Sequence, residues 1–533
     1  MSGRRPYIAL AVLATVGCVA GAFYYYARAG RPDPIEGYEV AERPARIRPD
    51  YSGTVIPPNI APLNFIVAEE GTAYRVNVHG GAGEPIELCS SSPSVKIPLR
   101  AWRELLEQNR GGEVNFDVYV QAQEGWRRFD TVTNRVAREE IDPYLVYRRI
   151  NVLYEEYLRM GIYQRDVRQW DEVAILDNRA FGLGCVNCHT FFDKGTERMA
   201  IHFRSGQEDY GLGMLLIQDG VVSKVDARTR YSPRPAAYTS WHPSGRLVAF
   251  SVNKVVQFFH QAQTEVRDAL DIESDMGLYF VDGQEVASTP SISDPDVLES
   301  WPEWSPDGRY LYFCRAPILW SDRKTVPPEN FEKLKYDLVR IGYDLKSSTW
   351  GELETVLAAE QTGLSISQPR FSPDGRFLVF CMSERSPFPV FQPDSDLYLM
   401  DMESGRYEKI ACNSDRAESW HSWSSNGRWL AFSSKRGDGL FLKTYFTHVG
   451  EQGKCSKAFV LPQEDPGFYD SFTKLFQLPE LVREPVPVRL EEIAGVIRSE
   501  PWMRVDVAVT AATPRGAPDQ DSAGSLPWGP HKE

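Results

Sequence analysis

The sequence predicts a mainly β chain: a roughly six-bladed β-propeller, preceded by an N-terminal transmembrane helix and a small, sandwich-like β-rich domain. Three observations carry this expectation. A hairpin signature recurs four times, an uncharged stretch opens the chain, and strand signals with period-two alternation fill most of the rest. The 533 residues have ordinary globular composition, with 42% apolar and 25% charged side chains. A formal net charge of −14 disfavours a polyanion-binding surface, so no nucleic acid is expected as a partner. Eight cysteines are too few for a disulfide scaffold at this length, and each is read from its neighbours.

After Arg4 and Arg5, residues 7–26 carry no charge, and these 20 positions suffice to cross a hydrocarbon core as a helix. The run ends in Phe23, Tyr24, Tyr25 and Tyr26, aromatics suited to a membrane interface, so residues 1–27 are expected to be a retained anchor. A cleaved signal is the alternative. Thr15-Val16-Gly17-Cys18 also resembles a lipoprotein processing site, with Thr15 where that pattern prefers Leu. Residues 28–58, with Pro32, Pro34, Pro44, Pro49, Pro57 and Pro58, have the composition of an extended linker. Residues 59–140 show short strand signals, among them the alternating Val114, Phe116, Val118 and Val120, interrupted by one helix around Trp102, Leu105 and Leu106. Residues 141–480 are the expected propeller. Residues 481–533 form a C-terminal extension whose Pro, Gly, Ala and Asp content from about 510 predicts disorder.

The repeat has one grammar. Trp241-His242-Pro243-Ser244-Gly245-Arg246, Trp304-Ser305-Pro306-Asp307-Gly308-Arg309, Phe371-Ser372-Pro373-Asp374-Gly375-Arg376 and Trp423-Ser424-Ser425-Asn426-Gly427-Arg428 each lead into an apolar strand. Asp-Gly or Asn-Gly supplies the positive φ that a tight hairpin needs. The glycines are 63, 67 and 52 residues apart, room for four-stranded blades with loop insertions. Residues 185–191 can open a further blade with outer strands at 200–204, 213–218 and 221–226. Residues 145–149, 161–167 and 173–176 supply three strands of another, whose fourth must come from beyond Phe468 if the ring is to close. The hairpin segments resemble the propeller repeats of the TolB-like family over roughly residues 227–462. The first copy, with Pro243-Ser244-Gly245, and the last, with Ser425-Asn426-Gly427, depart from Pro-Asp-Gly without losing the turn.

Cys185-Val186-Asn187-Cys188-His189 is a C-x-x-C-H motif. Two thiols at this spacing can add to the two vinyl groups of one haem, and the adjacent imidazole then lies under the iron. A thioredoxin-like dithiol would want a βαβ context and half a zinc site would want a second ligand pair nearby; the sequence has neither. One covalent haem c is therefore expected on Cys185 and Cys188, with His189 as proximal ligand. For the distal position His202 is preferred, with His260, His242 and Met199 as alternatives, although each is a common structural residue. Together with Gly161-Ile162-Tyr163-Gln164-Arg165, the repeats and the motif resemble a family of envelope proteins in which a propeller carries one c-type haem. That resemblance implies fold and cofactor and no particular activity.

The expected function is electron transfer by a c-type cytochrome anchored in the bacterial inner membrane. Its bulk would lie in the periplasm, where haem is attached, and its partners would be redox proteins or envelope proteins. Two alternatives stay open. A haem enzyme would keep the iron open at the propeller axis, with His242, His260 or His421 as acid–base groups. A scaffold of TolB type would bind envelope proteins and use the haem as a sensor or staple. Cys314 and Cys381, in equivalent hairpin places, are expected to be core packing, and Cys89, Cys412 and Cys455 belong to no motif. No hydrolase elbow, phosphate loop or zincin motif occurs.

Overall fold

The computed structural model describes residues 35–151, 159–205, 211–228, 234–259, 267–499 and 501–507. The anchor expected at residues 1–27 and the tail expected from about 510 lie outside them, and no described helix is long and apolar enough to cross a membrane. The chain is mainly β and its blades form a propeller. Five blades run outward from inner strands Cys185–Phe191, Ala237–Trp241, Val297–Trp304, Ser365–Phe371 and Glu418–Trp423, and they are numbered here second to sixth. The first blade is assembled from both ends of the propeller. Tyr144–Asn151, Met160–Asp166 and Glu172–Asp177 give its outer strands, and Lys474–Val482 returns as the inner one, with Tyr144 opposite Val482. This strand touches the inner strands of both the second and the sixth blade, which closes the ring and removes its open edge.

The hairpin turns hold themselves together. Gly245, Gly308, Gly375 and Gly427 take φ between 66° and 72°, the left-handed value the turn demands. In three copies a serine hydroxyl donates to the Asp or Asn side chain two residues on, at 2.6 Å for Ser305 to Asp307, Ser372 to Asp374 and Ser424 to Asn426. The same serine oxygen accepts the backbone N–H of Tyr310, Phe377 or Trp429, so each turn is stapled at both ends.

Every inner strand carries the same irregularity. Register against the second strand slips between Val186 and His189, Ala237 and Ser240, Ser300 and Glu303, Ser367 and Arg370, and Ser419 and Ser422; in the first blade the slip faces Val146 and Arg148. In five blades the first bulged residue is left-handed: Tyr238, Trp301, Gln368, Trp420 and Leu478, at φ from 42° to 60°. Such φ values are strained for bulky side chains and are held by the surrounding ring. Asn187, the equivalent in the second blade, is not left-handed. The bulge turns side chains toward the axis: the Tyr238 and Trp301 rings lie 3.8 Å apart, Trp301 and Trp420 5.3 Å, and Trp301 and Phe388 6.2 Å.

From Glu39 on, the proline-rich stretch is paired into sheets and is not a free spacer. Glu39–Pro44 pairs with Gly125–Asp130, Ile47–Arg48 with Phe65–Val67 and Val55–Ile56 with Val132–Val136. Pro44, Pro49 and Pro57 stand at or just past strand ends, where the missing N–H costs the ladder nothing. The N-terminal region builds a seven-stranded and a three-stranded sheet around helix Leu99–Gln108, which buries Trp102, Leu105 and Leu106. Its core continues into the propeller through Trp429, Phe446 and Phe476. At the other end, helix Leu490–Ser499 buries Ile493 and Ile497; Met503–Arg504 then extends the second blade and Asp506–Val507 the third.

Candidate functional site

The C-x-x-C-H motif opens the second blade's inner strand, and Asn187 and Cys188 occupy its bulge. Residues directly opposite in an antiparallel pair share a face, so register decides where each side chain goes. Val186 stands opposite Phe203 and His189 opposite Ile201, and these pack with Val146, Met160 and Ile162 of the first blade. Cys185 stands opposite Arg204, one position off, on the face whose Ala200 packs with Trp241 and Phe250 of the third blade. The extended strand thus sends His189 toward the first blade and Cys185 toward the third.

His189 is fully buried; its ring faces the Val146 backbone, and neither ring nitrogen makes a well-aligned hydrogen bond. Burial pushes its pKa down to about 4, so the ring is neutral at pH 7 and presents a lone pair. Cys185 and Cys188 are both free, half-buried and buried respectively, and burial pushes Cys188 up to about 11. Two groups missed in the sequence lie against the motif. Met160 Sδ accepts the Val186 N–H at 3.0 Å, and Arg148 donates to Asn187 Oδ1 and to Gln477 Oε1. Both come from the first blade, and no local pattern connects them to the motif.

The histidines named from the sequence are separated by the fold. His202 Nδ1 donates to Ala236 O at 2.6 Å, which leaves Nε2 as the acceptor of the neutral ring; burial pushes its pKa to about 3. One register position from Ile201, it lies on the opposite face of the sheet from His189. Met199, opposite Phe191 and fully buried, shares the face of His189. His242 braces a turn. Its Nδ1 accepts the Ser244 N–H at 3.0 Å and its Nε2 donates to Gly308 O at 3.0 Å. It sits at the hairpin end of its strand, six residues beyond Ala236, which is the equivalent of Cys185, or roughly 20 Å along an extended chain. His421 Nε2 donates to Val379 O at 3.0 Å, and burial pushes its pKa to about 3, so it ties strands together instead of exchanging protons near neutrality. His260 lies outside the described residues.

His189 belongs to a ring of polar side chains just past the bulge, whose other members are Ser240, Glu303, Arg370, Ser422 and Glu480. Several tie one inner strand to the next. Ser240 Oγ accepts the Trp304 N–H, Glu303 Oε1 accepts the Phe371 N–H and Ser422 Oγ accepts the Leu481 N–H. Arg370 pairs with Glu303 at 2.8 Å and Glu480 with Lys194 at 2.9 Å.

Among the described residues no group of three or more His, Cys, Asp or Glu could hold a metal ion unaided. The motif fits a c-type haem in kind, because the porphyrin brings its own nitrogens and needs from the protein the free thiols and imidazole that stand here. The Cys188 thiol lies against the Tyr238 backbone of the third blade, near enough to Cys185 for the two thiols to interact.

No family model and no curated protein matches the sequence. Solved structures with some likeness include a prolyl endopeptidase (TM-score 0.33, 13% identity, 60% of this chain and 42% of that one). Prolyl oligopeptidase B from Galerina marginata is another (0.33, 11%, 65% and 43%). The β-propeller domain of the Trilobed protease from Pyrococcus furiosus is a third (0.30, 12%, 65% and 90%). This chain spans about two fifths of the length of the two peptidases. At such low scores the likeness adds nothing to the fold read from the sheets themselves.

Proposed function

We propose that this chain is a c-type cytochrome on a TolB-like propeller, anchored in the bacterial inner membrane, that passes single electrons to redox partner or envelope proteins in the periplasm. The observation that carries this reading is His189, a fully buried imidazole whose nitrogens make no well-aligned hydrogen bond, next to two free thiols at haem-attachment spacing. The bound haem would supply the one-electron iron couple. Cys185 and Cys188 would hold it covalently, and His189 would be the proximal ligand. His202 stays the preferred distal candidate on one ground: its Nδ1–H bond to Ala236 O orients Nε2 as ligating histidines are usually oriented by their surroundings.

The aromatic filling of the axis favours a carrier over an enzyme with an open axial iron, because Tyr238, Trp301 and Trp420 occupy the centre at the level of the bulge. A net charge of −14 suits a partner with a basic docking surface.

Protein made with a c-type maturation system should keep its haem through acid–acetone extraction, and Cys185→Ala with Cys188→Ala should lose it. His202→Ala should turn low-spin iron high-spin. A phosphatase fused after Pro58 should be active in the periplasm. Wild-type haem that extracts freely, or none at all, sinks the reading.

A further inference from the structure

Arg148 lies on Tyr144–Asn151 of the first blade and is 7% exposed. Its guanidinium donates to two neutral amide oxygens, Asn187 Oδ1 inside the motif and Gln477 Oε1 on the closing strand, and its Nε has no partner. It makes no ion pair among the described residues. The charges around it are already matched: Arg370 by Glu303 at 2.8 Å, and Glu480 by Lys194 at 2.9 Å. A buried guanidinium with only neutral acceptors is costly, and its field is weakly screened.

We infer that Arg148 is a fixed positive charge that raises the reduction potential of a haem iron bound at Cys185-Val186-Asn187-Cys188-His189. The inference rests on the haem reading above. Ferric iron carries one more positive charge than ferrous iron, so an unmatched cation nearby destabilises the oxidised form more. The step it tunes is a one-electron exchange: ferrous haem gives one electron to an oxidised one-electron partner protein and becomes ferric. The hydrogen bond to Asn187 places the charge within the five residues that would carry the haem.

Potentiometry on the full-length holoprotein tests this. Arg148→Gln should lower the midpoint potential, Arg148→Lys should hold it near the wild-type value, and both should keep covalent haem with an unchanged spectrum. Equal shifts in the two variants would make Arg148 only a clamp on Asn187 and Gln477, and no shift in either would remove any electrostatic role; each result overturns the inference. If Arg148→Gln does not fold, Gln477→Glu keeps the hydrogen bond and supplies a counter-charge, so it must lower the potential too; an unchanged potential there also overturns the inference. Acid–acetone extraction of the wild type comes first, and loss of its haem would overturn the haem reading and this inference together.

Discussion

The Trp301 and Trp420 rings stand 5.3 Å apart although their strands belong to the fourth and sixth blades, so their contact crosses the centre of the ring. Both residues are left-handed at the inner-strand bulge, at φ 60° and 50°, and the bulge is what aims them inward. Trp301 also donates its indole N–H to Pro387 O at 3.1 Å. Trp301→Ala should therefore cost about 3–5 kcal/mol in urea unfolding, the loss expected for emptying a packed aromatic site. A loss under about 1 kcal/mol would mean that the centre repacks freely and that the bulge is not what closes the axis.

The hairpin glycines are not equivalent. A Cβ on Gly308, at φ +71°, would stand 2.6 Å from His242 Nε2, whereas one on Gly405, at φ +69°, meets nothing within 4 Å. Gly405→Ala should show only the left-handed backbone penalty, about 1–2 kcal/mol. Gly308→Ala should lose clearly more, because it also breaks the brace between the third and fourth blades. Matching losses in thermal unfolding would show that the brace contributes nothing.

The hairpins are legible in the sequence because their causes are local: a positive-φ glycine, a serine that staples the turn and period-two alternation. The need for a strand from beyond Phe468 comes from ring closure, and Lys474–Val482 supplies it. The determinants of the site are not local. Arg148 meets Asn187 across 39 residues and Gln477 across 329, and the placing of His189 and His202 on opposite faces depends on a register slip that composition cannot reveal. The N-terminal boundary differs from the expected one for a related reason. Proline marks both free spacers and strand ends, and only the pairing of Glu39–Pro44 with Gly125–Asp130 distinguishes them.

Asp271 is fully buried, and burial pushes its pKa up to about 7 against the opposing pull of the Asn253 side chain and Arg234. In the unfolded chain the same group titrates near about 3.9. Between those values the folded protein keeps a proton that the unfolded chain releases. Its contribution to stability is therefore complete below about pH 4 and is lost as pH rises toward 7. Asp271→Asn should be more stable than wild type at about pH 8, with the gain shrinking toward pH 4. Parallel stability curves for the two proteins would contradict this assignment.

Closure of the ring rests on one strand, and two truncations can separate its contribution from that of the helix and short strands C-terminal to it. A chain ending at Arg489 loses helix Leu490–Ser499 and the short strands that extend the second and third blades, yet it keeps Lys474–Val482 against Tyr144–Asn151. It should stay folded with a lowered melting temperature, because the losses lie at outer edges and one helix face. A chain ending at Phe472 loses the inner strand of the first blade. That exposes the Tyr144–Asn151 edge and removes Leu475, Leu478 and Val482 from the shared core, so it should unfold without a cooperative transition or aggregate through the bare edge. The polar ring would also lose Glu480 and with it the partner of Lys194. If both truncated chains melt cooperatively at similar temperatures, the propeller does not depend on its closing strand, and the inner-strand ring around His189 is held by other contacts.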